Sequence, residues 1–239
     1  MSTISSAILD PLMASDPAGP RITYYDDATG ERIELSTATL ANWAAKTANL
    51  LRDELGAGPA SRVAVLLPAH WQTAAVLFGI WWIGAEAVLE VGSSNDGADI
   101  ALCTAERLPE ADDAVGLGEI AVLSLDPFGK PVPDLPVGVT DYATAVRVHG
   151  DQISPERRPG AALDGRSVDD IIAGAQAAAA AQGLTATDRV LSTRGWETAD
   201  DLVANLLAVF AVGASLVQVA NPEPSAMDRR RQTEKTTKG

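Results

Sequence analysis

The sequence predicts an α/β fold, with a doubly wound, largely parallel sheet and helices on both faces. Apolar runs such as RVAVLLP at 62–68 end in turn residues, as is typical of strands buried on both faces. These runs alternate with segments of helical periodicity. A unit of helix, glycine turn, Arg-Val strand, helix and Gly-Ala strand occurs at 50–91 and again at 177–219. This repetition indicates two similar modules within one domain.

The composition changes at both ends of the chain. Residues 1–20 are small and polar with prolines, and they predict a flexible arm. Residues 21–224 predict a single α/β domain of two modules, 21–149 and 150–224. The remaining residues, 225–239, predict a charged, disordered tail.

The first module opens with a hairpin. The run RITYYDDATGERIELS at 21–36 has two β-rich halves around a turn in which Gly30 supplies the reversal. Ser36 then caps a helix. The apolar side of that helix recurs at three- and four-residue steps: Leu40, Trp43, Ala44, Thr47, Leu50, Leu51 and Leu55.

The strand at 62–68 is followed by a predicted helix from His70 to Ile83, which Gly84 ends. Three more strands are predicted in the first module, in the runs AEAVLEV, ADIALCT and EIAVLSL. A proline-rich loop at 126–139 follows, and DYATAVRV after it fits either a short helix or a strand. In the second module Ser167 caps a helix that ends near Gln182, and a strand, a helix and a strand complete the domain.

The charge balance excludes some partners. The chain has 32 acidic and 18 basic residues, a net charge of -14, which disfavours nucleic acid and anionic membranes. The longest apolar window, 74–89, contains Glu86 and is too short to span a bilayer. The N-terminus has no basic segment followed by a long apolar run, so we expect no secretory signal and a cytoplasmic protein.

Few residues suggest chemistry of their own. Cys103 is the single cysteine and lies in a strand, which favours a buried, inert thiol. His70 is interpreted as a helix cap or a surface residue, and the sequence gives no support for a metal site. Glu86 and Glu90 lie four apart in a predicted strand, hence on one face, where they are either an acid–base pair or solvated side chains. The Trp81–Trp82 pair predicts core or interface packing.

The pattern from 34 to 88 is that of a known family. It has a leucine-rich helix, a Gly-x-x-x-x-x-Arg-Val strand that ends in Leu-Pro, and a helix that ends in Gly-Ala. TDYATAVRV at 140–148 and AQGLTATDRVLS at 181–192 extend the match. The chain resembles the N-terminal portion of the acyl-adenylate-forming superfamily, which includes acyl-CoA synthetases, adenylation domains and luciferases. Within that superfamily it resembles a short branch, and the likeness covers most of residues 20–220.

Active members of that superfamily carry a Ser/Thr/Gly-rich phosphate loop that ends in Pro-Lys-Gly. Here GDQISPERRPGAALDGRSVDD, at 150–170, has no such run and no lysine. Two interpretations remain: a solvated loop with a capping serine, or a rewritten anion site at a helix N-terminus. The candidate residues for the anion site are Arg157, Arg158, Gly165, Arg166 and Ser167.

The resemblance to the superfamily, together with the missing phosphate loop, implies a non-catalytic binding or interaction module. It implies no catalytic residues, no metal and no ATP or AMP cofactor. The later adenylate-binding motifs and the C-terminal domain of the superfamily have no counterpart here. One alternative is an adenylate-forming ligase component that a partner chain completes. Another is a protein that binds a small acyl ligand. We also expect a homo-oligomer or a protein partner, docked on an exposed apolar patch within 196–219.

Overall fold

The computed structural model describes residues 2–92 and 97–239. The strands are β1 (Pro20–Asp26), β2 (Glu31–Ser36), β3 (Arg62–Leu66), β4 (Glu86–Val88), β5 (Ile100–Cys103), β6 (Glu119–Val122), β7 (Val139–Asp141), β8 (Arg189–Ser192) and β9 (Ser215–Ala220). The helices are α1 (Ile4–Ser15), α2 (Thr37–Asp53), α3 (Trp71–Trp82), α4 (Leu108–Val115), α5 (Tyr142–Ala145), α6 (Val168–Ala181), α7 (Ala199–Leu202), α8 (Ala208–Ala211) and α9 (Pro224–Glu234). A π-helical stretch, Val203–Leu207, joins α7 to α8.

These strands form two sheets. One has five parallel strands in the order β4-β3-β5-β6-β7. The other has the order β2-β1-β9-β8, and its hairpin pair β1–β2 is antiparallel while the other pairs are parallel. The predicted α/β class with largely parallel strands is confirmed. Because the hairpin of the first module pairs with β9 of the second, the division into sheets does not follow the predicted boundary at 149–150.

Helix α3 lies at the centre of the core. All of its residues are buried, as expected for a helix that is apolar on every side. It packs against α2 so closely that a Cβ on Gly79 would lie 2.9 Å from the carbonyl oxygen of Ala44. Trp81 and Trp82 are both buried, which confirms core packing for this pair.

Local signals in the sequence place most helices and turns correctly. Gly30 has a positive φ of 77° in the hairpin turn. The hydroxyl of Ser36 accepts a hydrogen bond from the amide of Thr39, and that of Ser167 accepts one from the amide of Asp170. The ambiguous DYATAVRV run contains the short helix α5 and a 3₁₀ turn.

The prediction of a flexible arm at 1–20 is wrong. Residues Ile4–Ser15 form α1, and the hydroxyl of Thr3 caps it by accepting a hydrogen bond from the amide of Ser6. The apolar side of α1 is buried in the main core: Ile4, Ile8, Leu9 and Leu12. Pro11 argued against a helix, because a proline removes one backbone hydrogen bond and crowds the carbonyl one turn earlier. Burial of these side chains outweighs that cost.

The prediction of a disordered tail at 225–239 is also wrong. Helix α9 lies against the hairpin, where the Arg230 guanidinium pairs with the Asp27 carboxylate. Glu234 is buried and contacts both Tyr25 and Arg189. The charges that suggested disorder therefore have partners on strands far away in the sequence, which composition alone does not reveal.

The apolar patch expected to be exposed within 196–219 is not exposed. Trp196 and Leu206 are buried, as are Phe210 and Val217. Strand β9 lies between β1 and β8, and α6 packs against the π-helical stretch and α8. The hairpin and α6 therefore cover the surface that we expected a partner to cover.

Candidate functional site

The loop after Pro155 extends the edge of the five-stranded sheet. Leu163 forms a parallel bridge with Ala87 of β4. The Ala87 amide donates to the carbonyl of Ala162 at 2.9 Å, and the Asp164 amide donates to the carbonyl of Ala87 at 3.1 Å. The indole N–H of Trp81 also donates to the carbonyl of Ala162, at 2.8 Å. The loop is therefore held by the core on which it lies.

Backbone donors of this loop bind carboxylates of the protein itself. The amides of Arg157 and Arg158 both donate to Oε1 of Glu156 at 2.8 Å. The amide of Gly165 donates to Oε1 of Glu86 at 2.6 Å. A phosphate loop works by presenting such amides to an anion, and here a carboxylate already occupies each of them.

The candidate side chains do not form a common cluster of donors. Arg166 pairs with Asp200 on α7 at 2.7 Å. The hydroxyl of Ser167 donates to the carboxylate of Asp170 at 2.7 Å while it caps α6. Arg157 and Arg158 are exposed beside Glu156. Anion binding by these residues stays a prediction, and their contacts are those of a structural connector.

Carboxylates surround the loop. Oδ1 of Asp164 accepts hydrogen bonds from the amides of Leu89 and Glu90, at 3.0 and 3.4 Å. Burial raises the pKa of Asp164, although those two amide bonds act in the opposite direction.

Strand β4 ends at Val88, so the prediction that Glu86 and Glu90 share one strand face is wrong. Glu86 is buried, and its Oε2 lies 3.4 Å from Nε of Arg62.

A larger cleft lies at the carboxyl ends of β3, β6 and β9, beside the hairpin turn. Its volume is 970 Å³. In parallel sheets, ligands bind most often at this end of the strands. The walls are mainly apolar, and His70 and Glu31 lie at the floor; the apolar residues include Tyr24, Ile33, Pro68, Leu125, Pro127 and Phe128.

His70 is held in one orientation. It is the N-cap of α3, and its Nδ1 accepts a hydrogen bond from the amide of Gln72 at 3.1 Å. The ring of Tyr24 packs edge-on against it, with centroids 4.3 Å apart. Burial lowers the pKa of His70, against the opposing effect of Glu31. The predicted capping role is confirmed, and the surface position considered beside it is wrong because the residue is 1% exposed.

The floor of the cleft has two polar atoms without hydrogen-bond partners in the described part of the chain. Nε2 of His70 lies 3.8 Å from Oε1 of Glu31, too far for a hydrogen bond, and both atoms are buried. With Nδ1 acting as an acceptor, the neutral ring carries its proton on Nε2. The floor thus presents one donor and one acceptor. The sequence did not single out Glu31, since it follows a turn and no motif marks it.

The remaining candidates for chemistry are the single cysteine, metal-ligating side chains and a membrane-spanning helix. Cys103 is buried, and burial raises the pKa of its thiol to about 11, which confirms an inert thiol. Within residues 2–92 and 97–239, no group of His, Cys, Asp or Glu is arranged to hold a metal ion. In the same part of the chain, no helix combines the length and apolarity that a bilayer crossing requires.

Comparison with known proteins identifies the family. No protein-family model matches the chain. A Mycobacterium tuberculosis (strain ATCC 25618 / H37Rv) protein described as a TIGR03089 family protein is 68% identical over 241 residues, which cover 99% of this chain and 98% of that one. The chain belongs to the TIGR03089 family.

Solved structures show the same fold at low sequence identity. A Brucella canis acyl-CoA synthetase matches with a TM-score of 0.79 at 17% identity, over 98% of this chain and 46% of that one. A benzoate CoA ligase from Burkholderia xenovorans LB400 matches at 0.72 and 16% identity, over 96% and 48%. The N-terminal domain of FACL13 from M. tuberculosis matches at 0.69 and 18%, over 99% and 62%. The chain thus spans about half the length of the two larger enzymes, and the predicted resemblance in fold is confirmed.

Proposed function

We propose that this protein is a non-catalytic binding module built on the fold of acyl-CoA synthetase N-terminal regions, and that it does not activate carboxylates with ATP. The observation that carries the proposal is the state of the loop after Pro155. Its amides at Arg157, Arg158 and Gly165 donate to Glu156 and Glu86. To bind a phosphate there, the protein would first have to give up these charge-assisted bonds.

The charges near the loop support the same conclusion. There is no lysine between Lys130 and Lys235, so no ammonium group in this stretch is available for a phosphate. The carboxylates of Glu86, Glu156 and Asp164 are close to the amides that an anion would need, and like charges at such short range repel.

The test is a pair of assays on the purified protein. ATP–pyrophosphate exchange with a panel of aliphatic and aromatic carboxylic acids should stay at background, while an active acyl-CoA synthetase under the same conditions exchanges. Calorimetry with ATP and magnesium, AMP and a non-hydrolysable acyl-adenylate mimic should give no binding heat. Magnesium-dependent, saturable binding of ATP would contradict the proposal.

Small-molecule binding is the second candidate, and the cleft beside His70 favours it. We also keep as a proposal that the protein associates with itself or with a protein partner, although the apolar residues within 196–219 are buried and do not support it. Light scattering at micromolar concentration checks the self-association, and a monomeric mass would contradict that part of the proposal.

A further inference from the structure

We propose that the cleft beside His70 binds a small molecule with an apolar body and one uncharged group, a hydroxyl or a carboxamide, that bridges His70 and Glu31. Three independent features of the cleft support this site. They are the unpaired atoms of its floor, the strain in its walls and its exposed rim. The proposal does not depend on what the loop after Pro155 does.

The floor atoms define the chemistry of the ligand. Nε2 of His70 is a donor and Oε1 of Glu31 is an acceptor, 3.8 Å apart, and both are buried without a hydrogen-bond partner in the described residues. Buried polar atoms in native proteins are nearly always paired with protein or with ordered water, so this donor and this acceptor call for a third group that bridges them, which is water in the free cleft and the polar group of the ligand in the occupied one. A hydroxyl or a carboxamide accepts from the first and donates to the second.

The same pair selects against charged ligands. A carboxylate accepts from His70 but is repelled by the carboxylate of Glu31. An ammonium group pairs with Glu31 but offers no acceptor to the N–H of His70, which then stays unpaired. A neutral group with one donor and one acceptor is thus the one that pairs both floor atoms, and this is the basis of the proposed selection.

Strain in the walls is the second feature. Leu125 lines the cleft and has a positive φ of 56°, although it is neither glycine nor asparagine. Non-glycine residues in this region cost free energy and cluster at ligand sites.

Access is the third feature. The rim of the cleft is formed by exposed residues, including Thr29 and Phe128, the latter 80% exposed. Glu31 directly follows the exposed residues 28–30 of the hairpin turn. The ligand's polar group reaches His70 as the Glu31 side chain turns toward it, while the apolar body lies against Tyr24 and Leu125.

Four probes of one shape test the selection: benzamide, benzyl alcohol, benzoate and benzylamine. Binding is followed through chemical-shift changes in the isotope-labelled full chain, since probes of this size bind with roughly millimolar affinity. We expect benzamide, benzyl alcohol or both to bind about tenfold more tightly than the two charged probes. Whichever of benzamide and benzyl alcohol binds more tightly shows whether the polar group of the ligand is a carboxamide or a hydroxyl. Equal binding of all four, or of none, overturns the proposal.

Two variants locate the binding. Glu31→Gln replaces the acceptor with a side chain that can donate, so benzoate should now bind about tenfold more tightly than it binds the unmodified protein. His70→Asn keeps a preferred N-cap residue but removes the Nε2 donor, so benzamide binding should weaken about tenfold. The control, Glu119→Gln, makes the same charge change at an exposed site and should alter nothing.

The outcomes separate this proposal from the one above. Benzamide binding that is unchanged by ATP and magnesium supports the cleft whatever the nucleotide does. If His70→Asn fails to fold, the gain of benzoate binding in Glu31→Gln decides the matter. If that gain is absent, or if the unmodified protein shows no preference among the probes, the cleft does not bind as proposed.

Discussion

The loop after Pro155 and the cleft beside His70 lie on one scaffold, yet their N–H donors differ. Three backbone amides of the loop are paired with carboxylates, although Oδ2 of Asp164 in the same loop is buried without a hydrogen-bond partner in the described residues. In the loop, amide donors meet carboxylates at 2.6–2.8 Å. At the floor of the cleft, a donor and an acceptor face each other at 3.8 Å without a bond. The difference is one of pairing: the amides of the loop are bound to the protein's own carboxylates, whereas the cleft, which no motif marks, holds a buried donor and a buried acceptor without hydrogen-bond partners in the described residues.

Removing one buried carboxylate from each region should change the free energy of unfolding by unequal amounts. Glu86→Ala takes away the acceptor of Gly165 and the ion-pair partner of Arg62, so we expect a loss of about 3 kcal/mol in the free energy of unfolding. Glu31→Ala should cost under about 1 kcal/mol, because Oε1 of Glu31 has no hydrogen-bond partner in the described residues. Urea unfolding measures both, and equal losses would remove the distinction.

A pair of glycines tests how tightly the loop is packed. Gly84 has φ +75°, and a Cβ there would lie 2.7 Å from Cγ of Glu156. Gly84→Ala should cost about 2 kcal/mol, from the strained φ and this clash together. Gly30→Ala is the matched control, with φ +77° and no atom within 4 Å of the added Cβ, and should cost about 1 kcal/mol. The same loss in thermal or urea unfolding for both would show that the loop is not packed as described.

The buried imidazole predicts a pH dependence. Burial lowers the pKa of His70 below its ordinary 6.5, while Glu31 and Asp26 act in the opposite direction. The unfolded chain therefore takes up the proton first, and stability falls as the pH drops below about 6.5, by at most about 1.4 kcal/mol per pH unit. His70→Asn should lack this part of the loss when urea midpoints are compared between pH 7.5 and 5.5. An identical slope for both proteins would argue against a buried neutral His70.

The smallest expected effect is a gain in stability. The raised pKa of Asp164 means that its folded, ionised form is disfavoured by burial. Stability contributed by the protonated form is lost as the pH rises above the unfolded value of 3.8. Asp164→Asn keeps an acceptor for the Leu89 amide and tolerates the positive φ at this position, so we expect a gain of under about 1 kcal/mol at pH 7. Asp169→Asn, exposed at the start of α6, is the control, and differential scanning calorimetry should show no gain for it.

The sequence predicts the elements better than it predicts their contacts. The apolar run at 62–68 and the glycine after Ile83 predict β3, α3 and β4, because buried strands and helix ends leave local signals. Helix α1 was missed since a proline and small polar residues obscured a buried apolar side. Neither the Gly165–Glu86 bond nor the gap between His70 and Glu31 was predictable, because each joins residues that only the folded chain brings together.

The most direct test of the central claim is a titration of the isotope-labelled protein with ATP and magnesium, followed at the backbone amides of Arg157, Arg158 and Gly165. If these amides are bound to Glu156 and Glu86, their signals should stay in place at nucleotide concentrations that saturate an active acyl-CoA synthetase. Saturable shifts at all three amides would mean that the loop gives up its own carboxylates for phosphate, which would contradict the proposed inability to bind ATP.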